Sequence, residues 1–427
     1  MPFRFSKTTL YPILSVFFIN TSYFNQKKVR WLWFLVPFAA MVLVAINNGK
    51  KMGLSGDFAV FWYAGINFFG GNELYSGIGG ANRFIYPPFA ALLFQVFAIS
   101  SLKHSATWFG FFNFGLFVAS IWLLKYIFSH FITQKRHLYL ALGLACLCSF
   151  RFFWYHQLYV QMNELVYVLC LLGLFFYLKK NENAAVLVFV VATFIKILPI
   201  FFLIWLASKG NFKTILKIAL VAIACVLMPF FWRGTTQGTA DLWAYYHTFL
   251  EPFKNGRVEP EFCNHSLASA LYKWFLPTQN EPLGYSYQLF EGNLKTTQLI
   301  YKISFATLMT LFLGTLIYRR LTQKRTIYWE FVLIFALTHL LSGITWEYHF
   351  VSMQLVYVPF FYALISSAKA KNAFNTLVVF LVVAMGLVGS DTVGSRYYHY
   401  IGGFGALTLM LLLLFFISLY KCLKSNS

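Results

Sequence analysis

Apolar positions in this chain run on without interruption where a half-buried strand would alternate. Stretches such as AFNTLVVFLVVAMGLVG, 373–389, show no period of two. A helix needs roughly 20 mostly apolar residues to cross the hydrocarbon of a bilayer, and such runs recur from residue 31 to residue 420. Lipid accepts only helices and closed barrels, and barrel strands alternate. The pattern therefore predicts an all-α protein, a polytopic membrane helical bundle of about 12 transmembrane helices in one domain. The predicted spans are 31–47, 84–100, 106–130, 137–150, 160–178, 184–207, 214–232, 297–318, 328–341, 348–367, 373–390 and 402–420.

Polar residues gather between these runs. Lys27, Lys28 and Arg30, then Lys209, Lys213 and Lys217, Arg319 to Arg325, Lys369 and Lys371, and Lys421 and Lys424 mark cytoplasmic ends by the positive-inside rule. Segments 48–83, 233–296, 342–347 and 391–401 then fall on the opposite side, the first two as long loops. One region breaks the count, because it puts Lys135, Arg136, Lys179 and Lys180 outside. Either the alternation fails there, or 184–207, interrupted by Lys196 and Pro199, is two short helices that dip in and return. The N-terminal LYPILSVFFIN has no small-residue cleavage site and reads as a retained interfacial helix.

Composition sharpens the picture. The chain is 59% hydrophobic and 11% charged, with a mean hydropathy of +0.65, values foreign to a water-soluble domain. Its net charge of +21 lies in short clusters between spans, which excludes a nucleic-acid face and leaves membrane lipids as the partners of the basic excess. Six scattered cysteines, four of them (Cys146, Cys148, Cys170, Cys225) inside apolar runs, indicate neither a zinc site nor a disulfide framework.

Against this background any polar group in an apolar setting stands out. Asp57, in GLSGDFAVFWYAGINFFGGNELY, is one of only 13 acidic residues in 427. A carboxylate at membrane depth faces a protein cavity and is a functional candidate, although an Asp before an apolar run also caps a helix. Tyr86, Pro87 and Pro88 mark a helix entry on the same side, and Arg83 before them suits an anion or a lipid headgroup. Gln161, Asn163 and Glu164 open an apolar helix, where amides bond between helices. Lys196 either snorkels or pairs with a lipid phosphate. Asn264 and His265 precede Ser266, a helix cap, and are left to bind. In LSGITWEYHFV, Trp346 and Tyr348 suit membrane anchoring, while Glu347 and His349 add ionisable groups to that turn. A metal site at Asp57, Glu347 and His349 is disfavoured by its pattern, and none is assigned.

In order along the chain, Asp57-Phe58 with Tyr63-Ala64-Gly65 and Leu74-Tyr75, Tyr86-Pro87-Pro88, Gln161-x-Asn163, Lys196-x-x-Pro199, Asn264-x-Ser266-Leu267 and Trp346-x-x-His349 resemble glycosyltransferase family 87. These are polyprenol-phosphate-mannose-dependent mannosyltransferases of the membrane class C glycosyltransferases. The resemblance runs from about residue 53 to residue 351. It implies an extracytoplasmic active site in a bacterial plasma membrane and a polyprenyl-phosphate sugar donor. It further implies a glycan or glycolipid acceptor, inversion at the anomeric carbon, and Asp57 as general base. A phosphate leaving group is already an anion, so cations rather than an acid or a cofactor are needed: Arg83, Lys196 and His349, with Arg257 and Arg396 as further candidates. Tyr63, Tyr86, Gln161, Asn163, Asn264, His265, Trp346 and Glu347 are the substrate-binding candidates. Three positions depart from the family pattern: Val160 for a glycine, His265 for a glutamine and Tyr348 for the first of two histidines. The rival readings are a transporter or flippase of a lipid-linked substrate, which would show two matching halves that this chain lacks, and a scaffold without catalysis.

Overall fold

Proline and glycine punctuate the apolar runs and decide where helices begin, end and bend. The computed structural model describes residues 27–53, 56–76, 84–254, 261–280, 285–286, 288–366 and 373–424, with backbone alone at 27–38, 279–280, 285–286 and 373–378. The LYPILSVFFIN segment, Ser55, Arg83, Arg257, Lys369 and Lys371 lie outside the described residues.

The order begins with α1 (Lys27–Lys51), α2 (Asp57–Gly70), α3 (Pro88–Ala98), α4 (Leu102–Ser129), α5 (Lys135–Leu158) and α6 (Asn163–Leu178). It continues with α7 (Glu182–Ile195), α8 (Ile200–Lys209), α9 (Phe212–Tyr245), a π-turn (Tyr246–Leu250), α10 (Glu251–Lys254) and α11 (Leu267–Phe275). A two-residue ladder, β1 (Gln279–Asn280) with β2 (Tyr285–Ser286), interrupts it. Then come α12 (Leu294–Leu321), α13 (Tyr328–Leu341), a 3-10 turn (Glu347–Ser352), α14 (Met353–Ser366), α15 (Ala373–Leu387), α16 (Ser390–Val393), α17 (Ser395–Gly403) and α18 (Ala406–Lys424).

The all-helical bundle is as predicted, and the described residues bear out part of the count of about 12 spans. Among the described residues 6 helices are long and apolar enough to cross: Leu102–Ser129, Lys135–Leu158, Phe212–Lys254, Leu294–Leu321, Glu347–Ser366 and Ala406–Lys424. The predicted spans 84–100, 160–178 and 328–341 are shorter apolar helices: α3 starts only at Pro88, α6 starts at Asn163 after the turn at Gln161, and α13 has the predicted bounds.

The run 184–207 divides into α7 and α8 at Lys196, whose backbone is extended, and Pro199. At ~1.5 Å per residue neither piece spans a bilayer. Glu182 at the start of α7 and Lys209 at the end of α8 line one cavity, together with Lys180, Lys324 and Arg325. The pair therefore rises and returns, with Lys196 at its tip. The dipping alternative is the one the structure adopts, and it places Lys180 at the same end of the bundle as the other basic clusters. That end is tied by a buried node: Glu330 accepts from Arg319 at 2.7 Å, from Trp205 at 2.6 Å and from Lys209 at 2.9 Å.

The opposite end carries the polar constellation. Helix α2 lies across α3 there, with Gly65 against the backbone of Phe94, where an added Cβ would come within 2.4 Å of the Phe94 carbonyl oxygen. Helix α9, kinked at Gly234 (φ 71°) after Pro229, sends Arg233 back to the end of α2. The guanidinium donates to the carbonyls of Asn67 and Phe68 at 3.0 Å each and pairs with buried Asp241. A cation among the last carbonyls of a helix is favoured by both the dipole and the orphaned acceptors. We expect Gly65→Ala to separate α2 from α3 at a cost of about 1–3 kcal/mol, read as a lowered thermal midpoint in detergent. An unchanged midpoint would show that the close crossing is not required.

Candidate active site

Asp57 is the first residue of α2, where a carboxylate complements the positive helix end. It accepts a hydrogen bond from Gln161 Nε2, and the Tyr348 hydroxyl is bonded to the same carboxylate. Gln161 is presented by a strained turn: Val160 has φ 49°, a left-handed conformation that suits glycine and is costly for a β-branched side chain. This is the position where the family pattern has glycine, so the departure keeps the backbone shape at the expense of strain. Tyr348, another departure, occupies a place in the site through its contact with Asp57.

Asp57 lies where two hollows meet. One, of about 410 Å³, is lined by Asp57, Phe61, Tyr86, Gln161, Lys196 and His349. The other, of about 420 Å³, is lined by Asp57, Tyr155, Tyr159, Glu347, Tyr398 and His399. Trp346 and Tyr348 border both.

In the first hollow Lys196 Nζ donates to Asn163 Oδ1 at 2.7 Å and faces His349 Nε2 at 2.9 Å. His349 Nδ1 accepts from the Trp346 backbone N–H at 3.0 Å, so the neutral ring carries its proton on Nε2. The ring N–H therefore donates to the lysine amine, and the bonded pair lines the hollow as two groups able to turn donors toward an anion.

The second hollow is braced by Arg151 on α5. Its guanidinium donates to Glu347 at 2.7 Å and to Asp391 at 2.9 Å, and lies 4.7 Å from the centre of the Tyr155 ring. Gly389 passes so close that an added Cβ would overlap the guanidinium. Burial would raise the Asp391 carboxyl, but the hydrogen bond and charge of Arg151 hold it below the usual carboxylate range.

Residues 84–343 match the model of glycosyltransferase family 87, more than half of the chain. The chain belongs to glycosyltransferase family 87. It is a membrane glycosyltransferase, and the resemblance carried by its motifs is confirmed at the level of the family. No curated protein matches the sequence.

With the family established, the residues its motifs singled out fall into three groups. Asp57, Tyr86, Gln161, Lys196, Trp346 and His349 share the first hollow, and Asn163 reaches it through Lys196. Glu347 belongs to the second hollow, turned toward Arg151 rather than toward His349 two residues on. The rest stand apart. Tyr63 lines neither hollow and packs edge-on against Trp62. Arg396 is exposed on α17, away from the cations of the first hollow.

The structure buries Asn264 and His265, the substrate-binding candidates of the long loop. Asn264 Oδ1 accepts from the backbone N–H groups of Thr345 at 3.0 Å and Ser266 at 3.1 Å, and its amide donates to the Gly343 carbonyl at 3.2 Å. It latches the long loop onto the segment that leads into Trp346. The His265 ring lies over Phe350, and neither of its nitrogens has a hydrogen-bond partner among the described residues. Lys273 supports the latch from α11, donating to the carbonyls of Glu261, Asn264 and Gly402.

Sequence reading missed Arg151, Tyr155, Tyr159, Arg233 and Asp241. A lone Arg inside the apolar run FRFFWYH was a signal available for the first of these, since an unpaired guanidinium is too costly to bury. Asn264→Ala is expected to orphan two buried N–H groups at about 1–3 kcal/mol each, lowering the thermal midpoint and slowing transfer together. Loss of transfer with an unchanged midpoint would assign Asn264 to substrate instead.

Proposed function

We propose that this family member moves a mannose or related hexose from a polyprenyl-phosphate donor to a hydroxyl of a glycan or glycolipid acceptor, inverting the anomeric centre. One observation supports this above the others: a carboxylate and a hydrogen-bonded amine–imidazole pair, Lys196 and His349, line the same hollow. Substitution at a sugar carbon bearing a phosphate requires both, a base for the incoming hydroxyl and cations for the departing anion.

In this reading Asp57 takes the acceptor proton as the new C–O bond forms. Gln161 and Tyr348 orient its carboxylate. Lys196 and the Nε2–H of His349 receive the phosphate, which leaves with the electron pair of the broken C1–O bond and needs no protonation. Asn163 holds the lysine in place. The aromatic walls, Phe61, Tyr86 and Trp346, surround the sugar. No cofactor and no metal enters the scheme.

Sidedness follows from charge. The end opposite Asp57 carries Lys180, Lys209, Lys324 and Arg325, and basic ends remain cytoplasmic. The active site then faces the extracytoplasmic side of a bacterial plasma membrane, in a class C arrangement, with the donor's lipid tail in the bilayer.

Asp57→Asn is expected to lower transfer from a radiolabelled polyprenyl-phosphate mannose to a cell-envelope extract by about 10²- to 10⁴-fold, with donor binding retained. Equal transfer by both proteins removes the base assignment. Lys196→Gln is expected to weaken donor binding by roughly 10- to 100-fold, the range of a lost charged hydrogen bond. Unaltered affinity would place the phosphate elsewhere.

A further inference from the structure

The end of the bundle opposite Asp57 holds a cavity that the transfer chemistry does not use. Its volume is about 930 Å³, more than twice that of either hollow beside the carboxylate. Lys180, Lys209, Lys324 and Arg325 line it, and Glu182 is the one acid among its described lining residues. We propose that this cavity binds the phosphate headgroup of an anionic phospholipid. It does so whether or not Asp57 is the base.

The cations here are short of anions. Of the 13 acidic residues in the chain, only Glu182 and Glu330 are found at this end among the described residues. Glu182 pairs with Lys217 at 2.8 Å, and buried Glu330 is shared by Lys209 and Arg319. Neither acid reaches Lys180 or Arg325, whose side chains have no hydrogen bond or ion pair among the described residues. Lys324 donates to the Leu423 carbonyl at 3.1 Å, and an ammonium with three donors keeps two more. An entering anion meets charge that no acid neutralises.

The backbone at Lys180 sharpens the point. Helix α6 closes with the Asn181 N–H on the Phe176 carbonyl and the Lys180 N–H on the Tyr177 carbonyl, at 2.9 Å each. This is a Schellman motif, whose left-handed position glycine usually fills, and Lys180 occupies it at φ 59°. Topology needs only a cation in the loop. Lys179 supplies that one, stacked 4.9 Å from the Tyr126 ring and off the cavity wall. The second, strained lysine is the one that lines the cavity.

Depth and wall chemistry select a lipid. Two membrane-crossing helices end here, α4 just before His130 and Phe131, and α12 just before Lys324 and Arg325, which sets the cavity at headgroup level. Phe131, Leu178, Leu206 and Ile327 give it an apolar side beside the cations, as a phosphate ester with acyl chains requires. The Tyr177 and Thr326 hydroxyls share one hydrogen bond at 3.1 Å, so the proton of whichever accepts is left for a phosphate oxygen. Both α7, through Glu182, and α8, through Leu206 and Lys209, contribute to the wall, so an occupant braces the foot of the re-entrant pair.

The test uses the full-length protein, delipidated in detergent and offered phosphatidylglycerol and phosphatidylcholine of one acyl composition, with bound lipid counted by native mass spectrometry. The wild type is expected to favour phosphatidylglycerol. Lys180→Gly combined with Arg325→Gln removes two cations while the glycine relaxes the left-handed position, so the fold is retained. The preference is expected to fall by about 10- to 30-fold, the effect of two cations beside an anionic headgroup. An equal preference in both proteins would overturn the site.

Phosphatidylglycerol is also expected to raise the thermal midpoint of the wild type and to leave that of the double variant unchanged. Inorganic pyrophosphate that raises the wild-type midpoint as far as the lipid does, and not that of the variant, would overturn the lipid and make the occupant a soluble phosphate compound.

Discussion

A carboxylate set among apolar helices must have hydrogen-bond donors aimed at it, and this requirement shapes the polar end of the molecule. Asp57 has Gln161 and Tyr348, which come from opposite halves of the chain and are held by unrelated means. Gln161 depends on a left-handed Val160, and Tyr348 depends on a 3-10 turn whose neighbour Glu347 is fixed by Arg151. Arg233 secures the far end of the same helix by gripping its last carbonyls. The position of one acid is thus set by α5, α9 and the turn before α14, well beyond its own helix.

A second constraint is the short re-entrant pair. A lysine in an unbroken span would reach for the bilayer surface, whereas one at the tip of two half-length helices remains at depth, surrounded by protein. Breaking the run at Lys196 and Pro199 brings the amine to Asn163 and His349. The same break lets Lys180 sit at the basic end with Lys209, so one local feature accounts for both the topology and the meeting of Lys196 with Asn163 and His349.

Much of this was legible from residue order alone. The helical class followed from the apolar runs and the family from the motif order, and polar groups standing in apolar runs marked Asp57, Gln161, Lys196 and His349, which the structure brings to one hollow. What remained hidden depends on distance rather than on local pattern. Asn264 reads as a free loop amide until its carbonyl is seen accepting from Thr345, 81 positions away. Arg151 looks like a stray cation until Glu347 and Asp391 are found around it. A run of apolar residues likewise gives the length of a hydrophobic stretch and not where a turn divides it, as at Lys196 and Pro199.

The central claim is a single displacement, with Asp57 on one side of the anomeric carbon and the phosphate on the other. The most direct measurement is the anomeric configuration of the transferred sugar, determined by NMR on product made by the purified enzyme from a donor of defined configuration. The account requires the product linkage to be opposite to that of the donor. Retained configuration would mean two displacements through a covalent sugar–enzyme intermediate, and would contradict it.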